Sequence, residues 1–399
     1  MSLRIKPLRV IADLHGQVEV PEPEIRTLST GSIQTIWDTI SSSKRGQYLR
    51  EGRTVAQAQD LFAEWFDGLP LMERVRLEQE NGLDGNIFFP LQIQLQIQRT
   101  DIFHSYVYEW TSPGREESRC EMVVNFPERN SSTSAAAPKG RKSGILSPER
   151  ARRRADFCVR RAMSMQQAFG VFSPLEITLW HLDAPKTLAD PIRINSGYTE
   201  FPESGRKRRI VIYRREELLK VLTHEMIHAL GLDGNQNDTG HSRRLTDRFC
   251  LCDRSDTTMT RPEEAYTDAW AIIINAHLRG TPIREEQIHC VEQCASLLVW
   301  FGFRSVEDFE RATSPTGSGC VPQTTSLLSY YVLKSALLSN LETFVRSFPE
   351  VWIDHPLFAR VTEKSLDRAA WRQEVRNAAA GMTRDKLRGR TMRMSVTLS

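Results

Sequence analysis

Two histidines and a glutamate stand at a spacing suited to metal chemistry. The segment His224-Glu225-Met226-Ile227-His228 has the form H-E-x-x-H. On a helix, residues four apart lie on one face about a turn apart, so both imidazoles can bind one metal ion. Glu225 lies about 100° round the helix, where it can reach a zinc-held water and take the proton that zinc acidifies. The motif therefore predicts one zinc ion, with Glu225 as general base.

The residues around the motif predict a strand followed by a buried helix. Ile210-Val211-Ile212-Tyr213 is a β-branched and aromatic run. From Arg215 apolar residues recur at helical spacing, and Gly231 is a natural stop. An amphipathic helix that carries two histidines by chance is the alternative. Metal binding is favoured because buried histidines without a ligand would need other hydrogen-bond partners.

Three later positions compete for the third ligand, which a catalytic zinc site usually has besides water. A histidine or aspartate six residues after His228 would fall on Gly234, which leaves Asp233 one residue out of register. His241 lies in a loop-like segment, and Glu264 lies near the start of a later predicted helix. The spacing disfavours the first position and leaves the other two open.

Glu264 is favoured because of the helix around it. Thr260 and Glu263, with a proline in the first turn, predict a capping box. The cap would occupy Glu263 and leave Glu264 free to face the motif helix. Asp268, one turn further on the same face, is placed to accept the second N–H of a zinc-bound histidine. His241 remains the alternative ligand.

HEMIH followed by E-x-x-x-D on a later helix resembles the gluzincin metallopeptidases, the thermolysin-like branch of the zincins. The resemblance covers about residues 175 to 280. It implies a mixed sheet with a ligand helix packed beneath it, and Glu225 as the base. It also implies that zinc is held by His224, His228 and Glu264.

This resemblance extends to the expected mode of substrate binding. Residues 195–201 would form the sheet edge that pairs with an extended peptide or protein substrate. The chain departs from the thermolysin pattern by a longer connection between His228 and Glu264. It also has no clear counterpart of that family's downstream transition-state histidine.

A second resemblance is to the Spartan/SprT-type zincins, which carry HEMIHA-like helices and a later Gly-His. It implies His241 as the third ligand and DNA-bound protein as the substrate. Those proteins often add a zinc ribbon of paired C-x-x-C motifs, which this sequence lacks. It also leaves the pair Glu264 and Asp268 unexplained, so this resemblance ranks second.

A donor for the transition-state oxyanion is expected from a leucine-rich helix predicted over residues 325–347. Tyr330 or Tyr331 could supply it, as could His241 if that residue is not a ligand. The alternative is that both tyrosines belong to the core, where a tyrosine fits well once its hydroxyl finds a partner.

The composition limits which cellular compartment and which kinds of partner are expected. The 399 residues carry a net charge of only +3 and seven cysteines without a disulfide-scaffold spacing. No apolar run has the length of a signal-peptide core or approaches the ~18 residues of a membrane span. These features predict an intracellular (cytoplasmic) protein with free thiols and no membrane span. The basic runs are expected to be solvated faces, or else to bind an acidic substrate or nucleic acid; they are Arg152–Arg154, Arg160–Arg161, Arg206–Arg209 and Arg214–Arg215.

The order of the patterns predicts an α+β protein. We expect four regions: an N-terminal α+β region (1–126), a flexible linker (127–147), a zincin catalytic core (148–282) and a helical C-terminal region (283–399). The basic tail of the last region, from Arg384 to Arg393, is expected to fray. Within the first region we expect helices near 31–42, 54–67 and 70–79 and strands at 91–98, 103–110 and 119–126. A basic helix at 148–169 and a strand at 177–180 open the catalytic core.

Two classes of function follow from these patterns. One is an active zinc metallopeptidase. The other is a zincin-fold protein that no longer cleaves anything and serves as a structural or binding component. The intact Glu225 favours the first, because a protein that only binds has no need of the base.

Overall fold

The computed structural model shows a mixed sheet flanked by helices. It describes residues 14, 18–29, 93, 97, 102–112, 115–127, 146–184, 186, 194–201, 207–234, 238–249, 251, 260–312, 321, 325–388 and 390–396. The predicted helices near 31–42, 54–67 and 70–79 lie outside these residues, as does the predicted linker apart from its two ends.

The sheet has six strands in the order β1-β2-β3-β4-β6-β5. β1, β2 and β3 pair antiparallel, β3, β4 and β6 pair parallel, and β5 is antiparallel to β6. The short strand β5 therefore forms one edge, beside the strand that leads into the motif helix. The bounds are β1 Glu24–Ser29, β2 Ile102–Ser112, β3 Arg115–Pro127, β4 Leu175–Trp180, β5 Gly197–Glu200 and β6 Arg208–Ile212.

Helices make up most of the rest of the described chain. The predicted α+β class is confirmed, as are the helix at 148–169 and the helical C-terminal region. Among the described residues, no helix has the length and apolar character that crossing a membrane requires. The bounds are α1 Pro148–Phe169, α2 Leu218–Leu230, α3 Thr239–Arg248, α4 Glu263–Arg279, α5 Ile283–Trp300, α6 Val306–Arg311, a π-helix Leu328–Leu333, α7 Lys334–Ser339, α8 Leu341–Ser347, α9 His355–Leu366, α10 Ala369–Ala380 and α11 Arg384–Leu387.

The motif helix α2 lies at the centre of the molecule. All thirteen of its residues are buried, which is typical of a helix that other elements surround. It packs against β5, β6, α1 and α4. One continuous buried cluster joins the sheet, α2 and the C-terminal helices. The division of the chain predicted at residues 126, 148 and 283 stays a prediction.

The strand predicted at residues 91–98 is wrong where it is described, because Ile93 and Ile97 are both helical and buried. A sequence in which apolar and polar residues alternate also has apolar residues four apart, and such residues lie on one face of a helix. A helix can therefore bury both isoleucines. The strands predicted at 103–110 and 119–126 are confirmed as parts of β2 and β3.

The prediction that the tail from Arg384 to Arg393 frays is also wrong for its described part. It begins with α11, and beyond it Met392 and Met394 are buried. The Met392 N–H donates to the Lys186 carbonyl at 3.0 Å, and the Tyr331 hydroxyl donates to the Met392 carbonyl at 2.8 Å. These two methionines anchor the tail in the core, which the number of basic residues in the tail does not predict.

Two arginines of the basic runs are buried rather than solvated. Arg161 Nη1 donates to Thr223 Oγ1 at 2.7 Å, and Arg214 Nε donates to the Asn195 carbonyl at 2.9 Å. A buried guanidinium needs such partners because it cannot give up its charge. For these two residues the expectation of a solvated face is wrong. Binding of an acidic partner by the remaining arginines stays a prediction.

The four described cysteines are free and buried. Cys290 and Cys294 lie in α5 as small core residues among apolar neighbours. Burial raises the pKa of the Cys290 thiol to about 12, so it stays neutral at physiological pH.

The role of Gly231 in ending α2 can be tested by mutation. Its φ of 73° lies in the left-handed region, which costs an L-residue about 1–2 kcal/mol. Gly231→Ala should lower the free energy of unfolding by that amount in a denaturant titration. Gly381→Ala is the matched control, because Gly381 ends α10 with a φ of −93° and has open space where a Cβ would point. Equal stability of the two variants would contradict the assigned role.

Candidate metal centre

Three side chains from α2 and α4 converge on one point. His224 Nε2 and His228 Nε2 lie 3.1 Å apart. Glu264 Oε2 lies 3.2 Å from the first nitrogen and 3.4 Å from the second. All three side chains are buried. The two residues four apart on α2 therefore share a face, and the start of α4 supplies a carboxylate oxygen opposite them.

The triangle of donor atoms has the size of one face of a zinc site. Atoms about 2.0–2.1 Å from a tetrahedral zinc ion lie roughly 3.3–3.4 Å from one another. The three observed separations, 3.1, 3.2 and 3.4 Å, are close to that value. Two imidazole nitrogens and one carboxylate oxygen are also a donor set that zinc takes in catalytic sites. These residues could hold a zinc ion.

Each histidine has a carboxylate on its other ring nitrogen. Asp268 Oδ1 lies 3.1 Å from His224 Nδ1, and Asp233 Oδ2 lies 2.5 Å from His228 Nδ1. Such a partner keeps the proton on Nδ1 and leaves the Nε2 lone pair free for a metal. The sequence predicts Asp268 in this place. It offers Asp233 only as a ligand out of register, so the sequence does not predict the partner of His228 Nδ1.

Asp268 is held by two buried lysines that the motif does not indicate. Lys220 from α2 donates to Oδ1, and Lys334 from α7 donates to Oδ2 at 2.7 Å. Burial raises the pKa of the Asp268 carboxyl, but the two ammonium groups outweigh it and hold the pKa well below its usual range. The carboxylate is therefore ionised and able to accept the N–H of His224.

Glu264 is oriented from both sides. Arg261 Nη1 lies 3.2 Å from Oε1, and the Tyr330 hydroxyl donates to Oε2 at 2.9 Å. Burial raises the pKa of this carboxyl, but His228 and Arg261 outweigh burial and bring the pKa well below its usual range. Sequence reasoning misses Arg261, because a single arginine before a proline gives no signal.

The capping box that points to Glu264 in the sequence is not formed. α4 begins at Glu263, two residues later than a Thr260 cap requires, and it has no side-chain cap. The Glu263 carboxylate instead accepts the Asp238 N–H at 2.9 Å, and Thr246 Oγ1 donates to Thr260 Oγ1 at 3.1 Å. Glu264 faces the motif helix for another reason, because Arg261 and Tyr330 orient it.

Glu225 lies beside the donor triangle and under the edge strand. Thr199 of β5 donates its hydroxyl to Glu225 Oε2 at 2.8 Å. Burial raises the pKa of Glu225 more than His224 and His228 lower it, which favours a carboxylate that readily takes up a proton. The site opens into a cavity lined by Asn195, Gly197, Tyr198, Thr199, Phe201, His224, Glu225, His228, Arg261, Glu264 and Tyr330.

The other candidate residues lie elsewhere. His241 is buried in α3, with its ring 5.8 Å from that of Phe358, and neither ring nitrogen has a hydrogen-bond partner among the described residues. Burial lowers its pKa to about 4. Tyr331 is buried and bonds to the Met392 carbonyl. The structure therefore brings Tyr330 to the site and leaves Tyr331 and His241 in the core.

The geometry predicts that Glu264, and not His241, supplies the third metal-binding atom. Glu264→Ala removes one corner of the triangle, whereas His241→Ala leaves the triangle intact. We expect the first variant to lose zinc at neutral pH and the second to keep one ion per chain, as measured by metal analysis after gel filtration. Loss of zinc in His241→Ala with retention in Glu264→Ala would favour the Spartan-type ligand set instead.

No protein-family model matches the chain. Searches against the curated proteins and against the solved structures also return no match.

Proposed function

We propose that the chain is a zinc-dependent metallopeptidase of the gluzincin type. The observation that carries the proposal is the triangle formed by His224, His228 and Glu264, whose edges match the donor spacing of a tetrahedral zinc ion. Glu225 beside this triangle supports a hydrolytic role, because a site that only binds metal has no use for a further carboxylate.

Zinc bound here would acidify a water molecule and polarise the carbonyl group of a substrate. Glu225 is the residue that would take the proton from that water. Its carboxylate is not one of the three donor atoms and is fixed by Thr199. The raised pKa of Glu225 suits a group that must hold the proton and then pass it to the leaving amine.

A peptide substrate is supported by the edge strand. Among the strands that the structure describes, β5 pairs only with β6, and it contributes Gly197, Tyr198 and Thr199 to the cavity wall. An extended peptide can add itself to such an edge through main-chain hydrogen bonds. Phe201, at the end of β5, is 48 % exposed and also lines the cavity, so it offers an apolar contact to a substrate side chain.

Tyr330 is the donor we assign to the oxyanion. Its hydroxyl lies at the donor triangle, 2.9 Å from Glu264 Oε2. Burial first, and then the carboxylates of Glu264 and Glu225, raise its pKa well above the usual value. The phenol therefore keeps its proton, and its single O–H can turn from Glu264 Oε2 to negative charge that develops on a substrate oxygen.

The carboxylates behind the histidines generate a test of metal affinity. Asp233→Asn and Asp268→Asn keep the shape but replace a charged acceptor by a neutral amide. We expect each to weaken zinc binding about 10- to 100-fold, measured by competition with a chromophoric chelator. Glu363→Gln, on the surface of α9 with a partner in Arg244, is the control and should bind zinc as the wild type does.

Replacement of the base tests the reaction itself. Glu225→Gln should retain one zinc ion per chain while peptide cleavage falls by roughly 10²–10⁴-fold, the usual contribution of a general base. The measurement is a broad peptide-library digest read by mass spectrometry, and a chelator should abolish the wild-type activity. Identical products from both proteins would reveal a contaminant. A zinc-loaded wild type that cleaves no peptide would favour the alternative, a catalytically silent zincin-fold protein.

A further inference from the structure

A second, smaller cavity adjoins the candidate metal centre. The two cavities share Asn195, Gly197, His224, Glu225 and Tyr330 as wall residues. The second cavity is also lined by Lys186, Lys220 and Met394, which do not line the first. We call it the lysine pocket; its full lining is Lys186, Asn195, Ser196, Gly197, Lys220, Val221, His224, Glu225, Asp268, Tyr330 and Met394.

The lysine pocket contains buried polar atoms that lack partners. Asn195 Oδ1 and Ser196 Oγ have no hydrogen-bond partner among the described residues. Asn195 is only 7 % exposed and Ser196 only 4 %. Burying an unpaired polar group is unfavourable, so each such group in a native protein calls for an explanation such as a ligand. Here both atoms belong to a cavity wall next to the residues that would carry out the reaction.

Among the charged groups of the lysine pocket that the structure describes, Lys186 has N–H donors without a partner, whereas both oxygens of Asp268 already accept hydrogen bonds. Lys186 has three N–H donors, but among the described residues its ammonium bonds only to Glu217 Oε2, at 3.1 Å. Both oxygens of Asp268, in contrast, are taken up by His224, Lys220 and Lys334. Burial lowers the pKa of Lys186 to about 8, so the ammonium is still charged at neutral pH.

The position of the lysine pocket suits a side chain rather than a main chain. Glu225 and Gly197, the first residue of β5, line both cavities, so a side chain of a substrate that pairs with β5 can reach the lysine pocket while its main chain stays on β5. Met394, from the C-terminal segment, also lines the lysine pocket, and its sulfur accepts from Lys220 Nζ at 3.7 Å.

We propose that the lysine pocket binds the carboxylate side chain of an aspartate or glutamate residue next to the cleaved peptide bond. The carboxylate accepts hydrogen bonds from Lys186 and from the Ser196 hydroxyl. The Asn195 amide can add a third, since a turn of its amide group by 180° presents Nδ2 in place of Oδ1. This inference rests on the proposed peptidase function and adds to it a preference for acidic substrates.

The test uses the full chain with Glu225→Gln, loaded with zinc, so that binding is measured without cleavage. Two peptide pools carry either Asp or Asn at the central position, and only uncharged residues elsewhere. Charge-assisted hydrogen bonds are about twice as strong as neutral ones, so the Asp pool should bind about tenfold more tightly or better in fluorescence anisotropy. Equal affinity for the two pools, or no binding of either, would overturn the inference.

Two matched variants locate the preference in the lysine pocket. Ser196→Asp, in the same Glu225→Gln protein, places a carboxylate inside the pocket and should abolish the preference for Asp. Ser196→Asn matches Asp in shape without the charge; it loses the Ser196 hydroxyl but should reduce the preference less than Ser196→Asp does, because Lys186 can still pair with the substrate carboxylate. Melting temperatures establish that both variants are folded. A preference for Asp that survives Ser196→Asp would place acid recognition elsewhere and overturn the assignment.

Cleavage by the wild type separates this inference from the proposed function. Products cut beside Asp in preference to Asn support both. Cleavage of both pools at equal rates overturns the acidic preference and leaves the peptidase function standing. Tighter binding of the Asp pool without any cleavage supports the lysine pocket and counts against the peptidase function.

Discussion

The buried carboxylate of Asp268 is the contact on which the rest of the site depends. It accepts from His224 and Lys220 of α2 and from Lys334 of α7. An uncompensated charge at this depth would be very unfavourable, so the carboxylate and both lysines stabilise the folded state only as a set. The orientation of His224 therefore depends on helices that lie well apart in the sequence.

Much of the site could be predicted from local patterns. H-E-x-x-H on a helix after a β-branched run fixes the relative placement of His224, Glu225 and His228, since helix geometry alone decides it. The helix end at Gly231 and the edge strand near Gly197 are also predictable, because a glycine stop and a short strand are local signals. The capping box leads to the right position for Glu264 although it does not form.

The remaining contacts depend on tertiary packing, which no local pattern encodes. Lys220 and Lys334 resemble ordinary polar positions of their helices, yet both are buried because they pair with Asp268. Arg161 and Arg214 belong to runs that suggest a solvated surface, but Arg161 is buried against α2 and Arg214 against the segment that leads into β5. The strand predicted at residues 91–98 fails for a related reason, since a spacing of four satisfies a helix as well as a strand.

Two contacts of α4, one with the π-helix and one with α7, limit where residues can be inserted or deleted. Tyr330 and Lys334, four apart, meet Glu264 and Asp268, which are also four apart. A single residue gained or lost between either pair would rotate one side chain by about 100° and break its contact. The described residues of the connection between α2 and α4 show no such pair of matched intervals. We therefore expect relatives of this chain to differ in length there, and to preserve both intervals of four without change.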